Sequence, residues 1–98
     1  MTVVFTRTVT PHSGHLDDTM KFVKKRIAAL KKTYGLKVAL NARFGGPAGQ
    51  LIMVSYHDDM RDLEKARRKV MKGVAKGKIP QPKPGIVKNV EDAVWLRL

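Results

Sequence analysis

The chain has 98 residues, 43% of them hydrophobic, no cysteine and a formal net charge of +12. This length supports one domain, 1–98, around one modest core that buries about two thirds of the unfolded surface. The composition excludes disulfides, thiolate nucleophiles and cysteine zinc sites. No apolar run approaches the ~20 residues of a membrane span, so a cytoplasmic protein without leader or membrane contact is expected.

Residues 3 to 9, VVFTRTV, are rich in β-branched and aromatic side chains and run into Pro11, Ser13 and Gly14, which predicts a strand and then a loop. From Leu16, the apolar residues Met20, Val23, Ile27, Leu30 and Tyr34 recur at alternating spacings of four and three, along one face of a helix. Asp17 and Asp18 in its first turn and Lys31 and Lys32 in its last suit the helix dipole, and Gly35 suits a left-handed C-cap. Residues 36 to 44, LKVALNARF, alternate, with Leu36, Val38, Leu40, Ala42 and Phe44 on one face and Lys37, Ala39, Asn41 and Arg43 on the other. That is the pattern of a half-buried strand. The GGPAG stretch turns the chain, and QLIMVSY, residues 50 to 56, is apolar on both faces. Asp58 or Asp59 is placed to cap a second helix carrying Leu63, Ala66, Val70, Met71 and Val74, expected to fray near Gly73 and Gly77. The Pro-rich residues 79–86 read as an extended linker, and EDAVWLRL, residues 91 to 98, as a fourth strand.

The order β-α-β-β-α-β predicts an α+β ferredoxin-like domain, a four-stranded antiparallel sheet with two helices on one face. The first and third strands lie in the middle of such a sheet. A middle strand is buried on both faces and an edge strand on one, which explains why LIMV is continuously apolar while KVALNARF alternates. Both helices cover the same face, so the other is left bare. Exposing it would put several hundred Å² of apolar surface in water, and a second copy packed sheet to sheet as a homodimer is the expected cover.

Four features together resemble the dimeric α+β barrel superfamily, whose members include antibiotic-biosynthesis-monooxygenase-like, stress-responsive barrel and NIPSNAP-like proteins. They are the first strand entering TPHSG, the long helix ending at Tyr34 and Gly35, the hairpin NARFGGPAGQLIMVSYHDD, and the helix opening DMRDLEKARRKV. The resemblance is one of pattern along nearly the whole chain, and PQPKPG departs from the short connection usual at that point. It implies sheets paired into a barrel and small-molecule chemistry at the cleft, sometimes without a cofactor. No catalytic signature of the superfamily is carried over to a residue here.

His12, His15 and His57 are not accompanied by carboxylates at ligand spacing, so no metal is expected. GGPAG has neither a Walker lysine nor a following helix to cradle phosphate. Neither Ser13 nor Ser55 stands in a nucleophile elbow, and covalent catalysis is not expected. The polar positions Asn41 and Arg43, with Arg7, Ser55 and His57, are the candidates for binding an anionic or carbonyl-containing small molecule in a cleft at the sheet dimer. Arg43 and His57 are its primary members, with Asn41, Arg7 and His12 secondary. The bland alternative leaves these groups solvated at strand ends, with Arg43 paired to an acid such as Asp58. Arg43 belongs to the hairpin end of the sheet and His57 to the other, so one ligand reaches both only if it is long or if a partner chain brings its own copy across. No cofactor is called for, and the pattern leaves open whether the chain is an enzyme. The second class is a nucleic-acid or other polyanion binder using Arg67, Arg68 and Lys72 on the basic second helix. Base stacking on the sheet is disfavoured, because the third strand lacks the aromatic-rich motif of RNA-recognition modules.

Overall fold

Alternate residues of a strand point to opposite faces, so strand register decides which side chains this protein brings together. The computed structural model describes residues 2–43 and 49–98. Along the chain lie β1 (Val3–Pro11), α1 (Leu16–Tyr34), β2 (Ala39–Ala42), β3 (Leu51–His57), α2 (Met60–Ala75) and β4 (Val87–Leu96). The strands pair antiparallel in the order β2-β3-β1-β4, so β1 and β3 occupy the middle and the fold is the expected α+β ferredoxin-like one. Val3 pairs with His57, Phe5 with Ser55, Arg7 with Met53 and Val9 with Leu51. This row faces the helices, because Val9, Leu51 and Met53 share a buried cluster with Val23 of α1. Val4, Thr6 and Thr8, paired with Tyr56, Val54 and Ile52, take the opposite face.

Helix α1 carries its acids first and its bases last, and Gly35 closes it at φ 66°. The Gly35 N–H donates to the Lys31 carbonyl and the Leu36 N–H to that of Leu30, a pairing that satisfies two final carbonyls. For α2 the cap is Asp59, whose carboxylate accepts the Asp62 N–H at 2.8 Å. The Asp62 carboxylate in turn accepts the Asp58 N–H at 3.2 Å, a variant of the capping box that secures the end of α2 nearest His57.

Several segments differ from their sequence pattern. Strand β1 extends to Pro11, where the register against β4 shifts and a missing N–H is tolerated. Strand β2 covers only Ala39–Ala42, so Leu36 and Val38 precede it, while Phe44 and residues 45–48 of the GGPAG turn lie outside the described residues. Strand β4 begins at Val87, four residues before the expected start, because pairing along the whole of β1 sets its length. Helix α2 does not fray at Gly73. That glycine is buried, and a Cβ there would collide with the Tyr34 hydroxyl and come within 2.9 Å of Ile79 Cγ1. Glycine is what lets the end of α2 approach α1 and the following segment so closely. Residues 79–86 are not a free linker either, since Ile79 is 2% exposed and belongs to the core.

Candidate functional site

Between the sheet and the two helices lies a cavity of about 270 Å³, walled by Phe5, Arg7, Ser55 and His57 of the sheet, Arg26 of α1 and Arg67 of α2. The rest of its wall is apolar, including Leu30, Val38, Leu63 and Val70. Two polar groups stand in this apolar shell.

The first is a cluster of arginines. Arg7 and Asp92 are register partners on β1 and β4, and the guanidinium grips the carboxylate with two bonds, Nε to Oδ1 at 2.7 Å and Nη2 to Oδ2 at 3.0 Å. Those bonds hold the Asp92 carboxyl below its ordinary range; burial opposes the shift, and the charges of Arg7, Arg67 and Arg26 add to it. Arg26 is 8% exposed and donates through Nη1 to the Pro80 carbonyl at 3.0 Å. Burial, and then the charge of Arg7, push the Arg26 guanidinium down, while Asp92 pulls the other way. Arg67 lies 5.8 Å from the centre of the Phe5 ring and Arg7 5.9 Å, both within cation–π range. Asp92 is thus bonded to Arg7 and feels the charges of Arg26 and Arg67 from farther away. Among the described residues no carboxylate lies within ion-pair distance of Arg26 or Arg67.

The second group is Ser55, His57 and Asp62. Two residues apart on one strand, Ser55 and His57 point the same way, and Ser55 Oγ lies 2.8 Å from His57 Nε2. On the far side of the ring His57 Nδ1 is 3.5 Å from Asp62 Oδ2. Both Ser55 and His57 are 4% exposed, whereas Asp62 stands at the exposed start of α2.

Of the sequence candidates, Arg7 and His57 come together in the cavity wall, with Ser55. Asn41 is paired with Ile52 and so belongs to the opposite face of the sheet. Arg43 lies at the hairpin end, its Nη1 donating to Gln50 Oε1 at 2.7 Å rather than to Asp58, and Gln50 Nε2 donates onward to Thr10 Oγ1 at 3.1 Å. His12 is exposed in the loop after β1, and His15 lies 3.3 Å through Nδ1 from Asp18 Oδ2 at the start of α1. Arg67, Arg68 and Lys72 are all exposed on α2, and the Arg67 guanidinium lies 5.8 Å from the Phe5 ring centre. Among the described residues no three His, Asp or Glu side chains gather as a metal site would need, and no helix is long and apolar enough to cross a membrane. Sequence reading missed Arg26, concealed as one more base on a basic helix. It named Ser55 and His57 but missed Asp62 beside them, whose signal is an S-x-H ending a strand followed by a capped helix.

Fold and cavity together define a small α+β ferredoxin-like protein with an arginine-lined pocket, open to solvent, between sheet and helices. No protein-family model matches the sequence, and no curated protein does. Solved structures do share the fold. A NIPSNAP family protein from Agrobacterium tumefaciens superposes with a TM-score of 0.81 at 17% identity, over 100% of this chain and 94% of that one. An uncharacterized NIPSNAP domain protein from Burkholderia xenovorans gives 0.80 at 11% identity, over 98% and 94%. SnoaB, a cofactor-independent oxygenase from Streptomyces nogalater, gives 0.66 at 13% identity, over 98% and 92%. The chain therefore shares its ferredoxin-like fold with these proteins.

Proposed function

We propose that the protein binds a small apolar molecule carrying a carboxylate or similar anion, held in the cavity between sheet and helices. The observation that carries this reading is Arg26, a charge more than nine-tenths buried in the cavity wall with no carboxylate beside it among the described residues. A buried charge costs several kcal/mol unless it is paired, and an anionic ligand supplies the pair. The apolar lining suits the ligand's body. At about 270 Å³ the space falls just under the ~300 Å³ at which small-molecule sites start, which limits the ligand to a short chain. The fold's occurrence in a cofactor-independent oxygenase is consistent with small-molecule chemistry. The ligand would lie on the helix side of each sheet, so Arg7 and Arg26 take the anion-binding role that the sequence assigned to a cleft at the sheet dimer.

The open face has its own role in this reading, as the contact with a second copy. Val4 stands between Tyr56 and Trp95 in the register, and those two aromatics are 63% and 60% exposed. With Ile52 and Val54 they form the apolar surface that a two-fold sheet-to-sheet contact would cover. No observation favours the polyanion alternative.

Thermal-shift measurements with hexanoate, hexanamide and hexanol test the ligand class. Hexanoate should raise the melting temperature of the wild type saturably, and the two uncharged analogues should do so far less. Arg26→Met should abolish the difference while leaving the free protein about as stable, since a buried unpaired cation is exchanged for an apolar chain. Equal stabilisation of wild type and Arg26→Met would contradict the assignment.

A further inference from the structure

Binding an acid through arginines leaves the other polar group of the cavity without a task. Ser55 and His57 are both almost fully buried, both line the cavity, and Asp62 lies against the far nitrogen of the same imidazole. A carboxylate near Nδ1 favours the tautomer with its proton there. Nε2 then offers a lone pair, and at 2.8 Å the Ser55 hydroxyl is placed to donate to it. Hydroxyl, imidazole and carboxylate in this order are a nucleophile, its base and the group that orients the base.

We propose that Ser55, His57 and Asp62 hydrolyse small carboxylate-bearing esters in this cavity, with Ser55 as nucleophile, His57 as base and then acid, and Asp62 as a positioning residue. The proposal rests on the anion-binding reading for its substrate class, because the arginines of the same wall hold the carboxylate. Ser55 Oγ bonds to the ester carbonyl carbon as its proton passes to His57 Nε2, and the carbonyl π electrons move onto oxygen. Collapse of that adduct breaks the ester C–O bond, and the leaving alcohol takes the proton from Nε2. Water then attacks the acyl-serine, its proton passing to Nε2 and on to the departing Oγ. One water is consumed, acid and alcohol are formed, and nothing is oxidised or reduced. Ser55 sits within a middle strand opposite Phe5, so its backbone cannot provide the amide pair of a helix-turn oxyanion hole. Positive charge for the oxyanion comes instead from the guanidiniums in the wall, of which Arg7 is the next residue on that face.

The test uses mono-4-nitrophenyl glutarate as substrate and a fluorophosphonate as a covalent probe read by intact mass. Wild type should release a burst of nitrophenol stoichiometric with protein and should take one label, mapped to Ser55. Ser55→Ala should lose both while still being stabilised by hexanoate, which shows that the fold and the anion site survive. His57→Gln should slow labelling by roughly 10²-fold or more. Asp62→Asn should lower kcat with KM unchanged, a split that a purely structural role would not give. If wild type takes no label and cleaves the ester no faster than Ser55→Ala, with hexanoate bound by both, the proposal is overturned and Ser55 serves only to satisfy a buried histidine. Labelling of Ser55 without hexanoate binding would support the relay and overturn the anion-binding reading instead.

Discussion

The two faces of this sheet are made from the same four strands, by residues one position apart, and they have different surroundings. The helix face carries Val3, Val9, Leu51 and Met53 packed to near-complete burial, with Arg7, Ser55 and His57 set among them. The opposite face carries Val4, Ile52, Val54, Tyr56 and Trp95, comparably apolar and lacking any helix to cover it. Hydrophobicity therefore does not distinguish core from surface here; the helices bury the row on β1 and β3, while Val90, Val94 and Leu96 of β4 stay exposed on the same side. The covered face also holds Arg7, Ser55 and His57, whose desolvation has to be answered by a partner. On the open face the polar contacts include Trp95 Nε1 donating to Thr6 Oγ1 and Gln50 Nε2 donating to Thr10 Oγ1, both at 3.1 Å.

The largest effect is expected from breaking the comparison at two neighbouring residues. Met53→Asp puts a carboxylate into the core and should cost more than ~3 kcal/mol, enough to abolish cooperative melting. Ile52→Asp, one position away, should leave the melt of the monomer nearly intact and instead halve the mass seen by light scattering. Unfolding of both variants alike would mean that Ile52 also belongs to a core. Next in size is Gly73→Ala. The added methyl meets Tyr34 and Ile79, and overpacking of about 1–3 kcal/mol should outweigh the ~1 kcal/mol gained in helix propensity. A melting temperature above that of wild type would show that Ile79 moves aside at little cost.

A smaller effect is expected at Asp92. Its pKa is depressed in the fold, so its contribution is complete above the ordinary carboxylate value of 3.8 and is lost as pH falls through the lower, folded value. Because the pair is about one-third exposed, Asp92→Asn should cost only ~1 kcal/mol at neutral pH. The melting-temperature difference between wild type and this variant should stay constant above pH 5 and shrink only as pH falls below the ordinary carboxylate value. The same substitution removes the carboxylate bonded to Arg7, so it should tighten hexanoate binding. Weaker binding in Asp92→Asn would place the anion away from this cluster.

Much of this organisation is legible in the sequence because it follows from period and chain order. The 4-3 spacing from Leu16 to Tyr34 gives α1, the contrast between LKVALNARF and LIMV gives edge and middle strands, and the hairpin fixes Arg43 far from His57. What the sequence conceals depends on long-range register or on which of two equal faces is covered. Val87 joins β4 only because β1 is long enough to pair with it. Ile79, inside a proline-rich stretch, is drawn into the core by the space above Gly73. Arg26 is one of many bases on α1 until the fold turns it inward, and His57 joins Arg7 rather than Arg43 because both occupy odd positions of paired middle strands.

The claim that the helix-covered face holds the ligand site is tested most directly by the methionine methyl groups. Met53 and Met71 line the cavity, Met20 packs beside the core on α1, and Met60 is exposed at the start of α2. In protein labelled at the methionine methyls with ¹³C, titration with hexanoate should shift the Met53 and Met71 resonances saturably and leave Met60 unmoved, and Arg26→Met should remove the shifts. Saturable shifts confined to methyls outside the cavity, or shifts at Met53 and Met71 that persist unchanged in Arg26→Met, would contradict the account.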